Sequence, residues 1–77
     1  MAITQSVIFS KDLYNTTRCR RWLLKHKLKP IKKAHETSSY YRYRIKEPDY
    51  DKYEYRIKRI SDDIKMIFGY PIDEMEF

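Results

Sequence analysis

A single cysteine, Cys19, excludes an internal disulfide. Two histidines, His26 and His35, and that one thiol lie too far apart in sequence to offer a metal-ligand spacing. One glycine, Gly69, excludes a glycine-rich phosphate loop. No apolar run approaches the roughly 20 residues that a helix needs to cross a bilayer. The N-terminus has no basic lead followed by an apolar stretch, so it does not read as a secretory signal, and the expectation is a soluble intracellular protein. Acid is scarce as well: Asp+Glu total 11 against 17 Lys+Arg, a net charge of +6. That balance favours a polyanionic partner, whether nucleic acid, an anionic membrane face or an acidic protein, with solubility as the alternative use of the charge. The membrane option is the weakest, because no helix carries a wide apolar face of several large residues.

Aromatic rings, in contrast, are abundant at 16%, with eight tyrosines. A disordered basic tail would not carry so many, so the 77 residues are expected to form a single folded domain, ordered over about residues 3–70 with an acidic tail over 71–77. A domain of this size buries only about 60% of its unfolded surface. With disulfide and metal excluded, self-association remains as a source of stability.

Tyr40 to Lys46 is the most informative stretch. Read as a strand, it places Tyr41, Tyr43 and Ile45 on one side and Tyr40, Arg42, Arg44 and Lys46 on the other. The first set suits a core; the second shows a ring and three cations to solvent. A slip of one residue would exchange the two sets.

Upstream, Ile3 to Phe9 reads as a strand with Val7 and Phe9 on one face. Asn15 is placed to cap a helix starting at Thr16. Cys19, Trp22, Leu23 and His26 follow the i, i+3, i+4, i+7 spacing of one helix face, and Pro30 stops the helix near Lys27 or Leu28. Pro30 to Ala34 is expected as a second strand and His35 to Ser38 as a polar turn into the Tyr40 strand. After Glu47-Pro48-Asp49, a single helical turn is expected to Tyr53, then a strand over Glu54 to Ser61 with Tyr55 and Ile57 opposed to Arg56 and Lys58. Asp62-Asp63 turns into a last strand, Ile64 to Phe68, ended by Gly69. The fold class is therefore α+β: one amphipathic helix on a small, mainly antiparallel sheet of four or five strands, in the order β-α-β-β-β-β. The predicted core is Val7, Phe9, Cys19, Trp22, Leu23, Ile31, Tyr41, Tyr43, Ile57, Ile64, Met66 and Phe68.

The order of motifs resembles a small domain of tailed phages and large DNA viruses. Asn15-Thr16, then Arg21-Trp22-Leu23-Leu24-Lys25-His26 and Leu28-Lys29-Pro30, match its helix. Glu36-Thr37, Tyr41-Arg42-Tyr43-Arg44, Pro48 with Tyr53, Arg56 to Ile60, and Asp63 to Tyr70 follow in its order, so that residues 6–70 are covered. The chain departs from that pattern at Lys27 and Asp63, where the family carries glycine. A left-handed helix cap at Lys27 would cost a non-glycine residue roughly 1 kcal/mol. The resemblance implies a viral setting, the infected host cell or the virion, and a whole-domain fold, but no activity.

Catalytic chemistry is poorly served. Cys19 lies in the apolar stripe, where a thiol acts as a small hydrophobe. His26 ends that stripe, suited to capping or packing, and His35 lies in a turn. The paired acids Asp49/Asp51 and Asp62/Asp63 are turn formers rather than a carboxylate dyad. A non-enzymatic protein is expected, with no cofactor, no metal and no small-molecule substrate. The stronger reading is nucleic-acid binding with weak sequence preference. Tyr40, Arg42, Arg44 and Lys46 would join Arg56 and Lys58 if their strands were neighbours, while Arg18, Arg21 and Lys25 of the helix would reach a second phosphate track. No recognition-helix or zinc-finger motif is present to read bases. The rival class is a protein-interaction module, a homodimer or a docking site for a host or virion protein, since Tyr and Arg are also the residues of interface hot spots.

Overall fold

Two antiparallel hairpins flank one central strand. A computed structural model describes residues 1–72 and forms one five-stranded sheet with a single helix. The elements are β1 (Ile3–Ser10), α1 (Thr16–Lys25), β2 (His35–Glu36), β3 (Tyr40–Arg44), β4 (Tyr53–Ser61) and β5 (Ile64–Pro71). The sheet order is β2-β3-β1-β5-β4, with every pair antiparallel. The fold is the expected α+β architecture. The acidic tail from Asp73 onward lies outside the described residues.

The helix covers one face of the sheet. Val7 of β1 pairs with Tyr43 on one side and Met66 on the other, and Phe9 with Tyr41 and Ile64. These residues alternate onto the face that receives Cys19 and Leu23 from α1. Val7, Phe9 and Cys19 are fully buried there, with Leu23, Tyr43, Ile64 and Met66 nearly so. Phe9 is the hub. Its ring centroid lies 5.1 Å from Tyr14, 5.5 Å from Trp22 and 5.8 Å from Tyr43, the last two edge-on, a favoured geometry for aromatic pairs. Trp22, Tyr41 and Phe68 pack around this core as half-buried residues.

Local chemistry sets the helix ends. Asn15 Oδ1 accepts from Arg18 N at 2.8 Å, the cap expected from sequence. The far end closes with Lys27 in the left-handed region, φ 58°. Lys27 N donates to Leu24 O at 3.0 Å and Leu28 N to Leu23 O at 2.9 Å. This is a Schellman closure with lysine where glycine is usual. The departure at Lys27 therefore leaves the left-handed exit in place and strains the residue instead. Asp63, the other departure, takes no positive φ.

Several expectations are corrected. Pro30 to Ala34 is not a strand; it is a loop, and the pairing partner of β3 is the two-residue β2, His35–Glu36, within the stretch expected as a turn. β3 ends at Arg44, because Ile45 N and Lys46 N both turn inward to Gln5 O. β5 does not stop at Gly69 but runs through it to Pro71. The turn before β4 holds, with Lys52 N and Tyr53 N both donating to Asp49 O. Ile31 and Ile57 are not core: Ile31 is 49% exposed and Ile57 60%. Ile31 sits in the loop that replaced its strand. Ile57 has the alternation predicted for it, but β4 presents that side to the uncovered face.

Candidate nucleic-acid interface

The face opposite α1 carries no helix among the described residues, only the turn before β4 packed on Tyr55 at one end, and the register specifies what it displays. Directly opposed residues of adjacent strands share a face. Arg42 pairs with His35 of β2 and Ile8 of β1; Ile8 pairs with Lys65 of β5; Lys65 pairs with Arg59 of β4. One row, His35–Arg42–Ile8–Lys65–Arg59, thus crosses all five strands. At about 4.8 Å per inter-strand step it spans roughly 19 Å. The next row, Arg44–Ser6–Ile67–Ile57, crosses four strands by the same pairings. Tyr40, opposite Ser10, stands at the end of the face beside Ile8.

Arg42 is the anchored cation. The β-bulge between Thr4 and Ser6 sends Gln5 and Ser6 toward it. Arg42 Nε donates to Ser6 Oγ and Nη2 to Gln5 Oε1, both at 3.4 Å, and Ser6 Oγ donates to Gln5 Oε1 at 2.6 Å. Gln5 is itself buried and donates through Nε2 to Lys46 O at 2.8 Å. The half-buried guanidinium is thus held by neutral acceptors alone, with no carboxylate partner among the described residues. Two of its five N–H groups are used, which leaves donors for an anion.

Two depressions extend this face. A polar cleft of about 390 Å³ is lined by Lys32, Lys33, Ala34, His35, Arg42 and Arg44. A second, of about 250 Å³, is lined by Ile8, Ser10, Ser39, Tyr40, Arg59, Asp62, Asp63 and Lys65. In the first, Glu47 offsets part of the charge: its carboxylate meets Lys32 Nζ at 2.9 Å and Arg44 Nη1 at 3.2 Å. The hydrogen bond from Lys32, with the charges of Lys32 and Arg44, holds the Glu47 carboxyl below its ordinary value despite some desolvation.

The structure divides the residues singled out from sequence. It brings Tyr40, Arg42 and Arg44 to one face. Lys46 lies just beyond β3, exposed, on the same segment. It does not bring Arg56 and Lys58 there. Their strand is separated from β3 by β1 and β5, and they pair with Phe68 and Met66 on the side that α1 occupies. Arg56 is further tied to Glu54 at 2.8 Å. The alternation in β4 is right, but the face assigned to it is reversed. Arg18, Arg21 and Lys25 ride on α1 and line a shallow hollow of about 220 Å³ with Tyr14 and Trp22, across the sheet from Arg42. Arg18 Nη1 also donates to Leu13 O at 2.6 Å, and its guanidinium lies over the Tyr14 ring.

Lys32, Lys33, His35, Arg59 and Lys65 were missed. Lys32 and Lys33 lie in a stretch expected to be a strand and belong instead to the loop after α1, where they line the cleft with Arg42. Arg59 and Lys65 become neighbours of Ile8 only through the placement of β5 between β1 and β4. The alternation Arg59/Ile57 against Lys58/Arg56 was the one signal present.

Cys19 shows no sign of a working nucleophile. It is fully buried, and burial pushes its thiol up to about 11. Tyr43, whose hydroxyl interacts with this thiol, is raised in turn by burial. His26 stacks on Trp22 at 3.9 Å and bonds through Nδ1 to Trp22 O at 2.9 Å, a capping role. Among the described residues no group of three His, Cys, Asp or Glu is placed to hold a metal, and no helix is long and apolar enough to cross a membrane. Comparison of the chain with protein-family models, with curated proteins and with solved structures returned no match.

Proposed function

We propose that this protein is a non-enzymatic nucleic-acid binder of weak sequence preference, acting through the sheet face opposite its helix. The observation that carries it is Arg42: a half-buried guanidinium positioned by Gln5 and Ser6, without an acid, in a cleft it shares with Lys32, Lys33, His35 and Arg44. Cations at fixed positions neutralise phosphates and release counterions, and no element on this face is shaped to read base edges. Tyr40, 36% exposed beside Ile8, offers a ring for stacking. The motif order that resembles the small phage and large-virus domain supports a viral setting, in the infected cell or the virion.

The test is a binding titration with labelled oligonucleotides at low salt, repeated as salt is raised. The wild-type chain should bind with an affinity that falls steeply with salt. Arg42→Ala with Arg44→Ala should weaken binding and reduce the slope by about 1.4 to 1.8 in log–log units, as expected for two lost phosphate contacts. If no complex forms with any oligonucleotide at low salt, the proposal fails.

A protein-interaction role has one observation in its favour. β4 pairs only with β5, so its outer edge is unpaired among the described residues, and Ile57 and Ile60 are exposed along it at 60% and 46%. Such an edge is a template for a further strand, from a second copy or another protein, although Arg56, Lys58 and Arg59 discourage it. Sedimentation measures this directly: a monomer at high concentration removes self-association.

A further inference from the structure

Resting on the nucleic-acid reading, we infer that the ligand is a single strand, lying across the β-strands rather than along them, and that a duplex is the poorer partner. Two features of the uncovered face point there.

The first is the placement of apolar side chains between the cations. Ile8 is flanked by Arg42 and Lys65 in one row, while Ile67 and Ile57 stand side by side in the next. Ile57 is 60% exposed, and Ile8 and Ile67 are half-buried. Phosphates satisfy the cations of such a face but leave the isoleucines wet. Unpaired bases and sugars present apolar faces that cover them. A duplex keeps its bases stacked inside and offers this face only its charged exterior.

The second is twist. Adjacent strands rotate by roughly 20–25° relative to one another, so a row crossing four inter-strand steps turns through roughly 80–100°. A duplex, stiff over about 150 base pairs, cannot follow that turn at low energy and touches only part of the row. A single strand bends at each nucleotide and can reach Arg42 at one end and Arg59 at the other. The row spans roughly 19 Å, within the reach of a strand of several nucleotides, and single-strand sites of about 4–16 nucleotides are common on small β domains.

The experiment compares an oligothymidine of about 12 nucleotides with a duplex of the same length, by fluorescence anisotropy of the full chain across a salt series. The single strand should bind at least about tenfold more tightly at roughly 150 mM salt, where electrostatic binding is weakened and the apolar contacts remain. Ile57→Thr, on the exposed edge strand, should weaken single-strand binding about threefold or more without changing the salt slope, since no charge is altered. Arg59→Ala with Lys65→Ala, at the far end of the row from Arg42, should lower the single-strand slope by about 1.4. The arginine–lysine pair is exposed, so these variants test the path even if Ile57→Thr folds poorly. Equal or tighter binding of the duplex overturns the inference and leaves the nucleic-acid reading standing. So does an unchanged slope in Arg59→Ala/Lys65→Ala, which would confine the ligand to the Arg42 cleft. Absence of binding to either oligonucleotide at low salt removes both.

Discussion

The Tyr55 ring rests on Gly69. The two residues are directly opposed in β4 and β5, and a Cβ at position 69 would lie 2.7 Å from Tyr55 Cε1 and 3.2 Å from Ile3 Cγ1. The ring has little freedom to retreat, because Tyr55 Oη accepts from Asp49 N at 2.7 Å and Tyr50 meets the ring edge-on at 5.3 Å. The only glycine in the chain thus serves as the floor under an aromatic ring rather than as the end of a strand. Gly69→Ala is expected to destabilise the fold by about 1–3 kcal/mol through overpacking, against the small gain that alanine otherwise brings to a strand. Chemical denaturation measures it. Combining the change with Tyr55→Ala should cost less than the sum of the two, because the clash is removed with the ring.

Lys27 is the strained residue of the helix exit. Its left-handed φ of 58° is held by the two closing hydrogen bonds to Leu23 and Leu24. Lys27→Gly should therefore stabilise the protein by about 1 kcal/mol, seen as a higher denaturant midpoint with an unchanged slope. Lys27→Ala should not, since it keeps the Cβ. Equal midpoints for the two variants would show that the strain is not what Gly relieves.

The base limb of stability should report the buried thiol. The Cys19 pKa is raised by burial from 9.0 to about 11, so the thiol form is favoured by folding. The associated stability is present in full below pH 9.0 and is lost as pH rises toward about 11. Tyr43, also raised by burial, adds to the same limb from its ordinary value upward. Cys19→Ala should flatten the decline over that range, and the native thiol should resist alkylation at neutral pH until denaturant is added. Rapid alkylation of the folded protein near pH 7 would contradict the burial.

Glu47 is the counterweight of the cleft. Bound to both Lys32 and Arg44, it reduces the charge available to an anion. Glu47→Gln should raise oligonucleotide affinity at low salt by about two- to fivefold. Its lowered carboxyl contributes stability above its ordinary value of 4.5 that disappears as pH falls through the folded one. The stability difference between wild type and Glu47→Gln should accordingly shrink on acidification below about that pH. An unchanged affinity would place the ligand away from Lys32 and Arg44.

Local pattern was enough to reveal the helix, its Asn15 cap, the Val7/Phe9 face of β1 and the division of β3 into Tyr41/Tyr43 and Tyr40/Arg42/Arg44. Each depends on neighbours within a few residues: period 3.6 or 2, a capping oxygen, a proline that forbids continuation. The α+β class followed from their order along the chain. What no local pattern contained is the sheet order. Placing β5 between β1 and β4 brings Arg42, Lys65 and Arg59 into one row, and the register of β4 on β5 puts Arg56 and Lys58 on the helix side and Ile57 on the other. The alternation within β4 was legible; the face it presents was not. That face is decided by the register of β4 on β5: Ser61 pairs with Ile64, and the shift between Arg59 and Ser61 then sets Ile57 opposite Ile67 and Arg56 opposite Phe68. Strand period alone settles which side chains alternate. Which of them share a surface comes from the pairing of the strands and the side that α1 covers, because a period of two defines two sides without choosing between them.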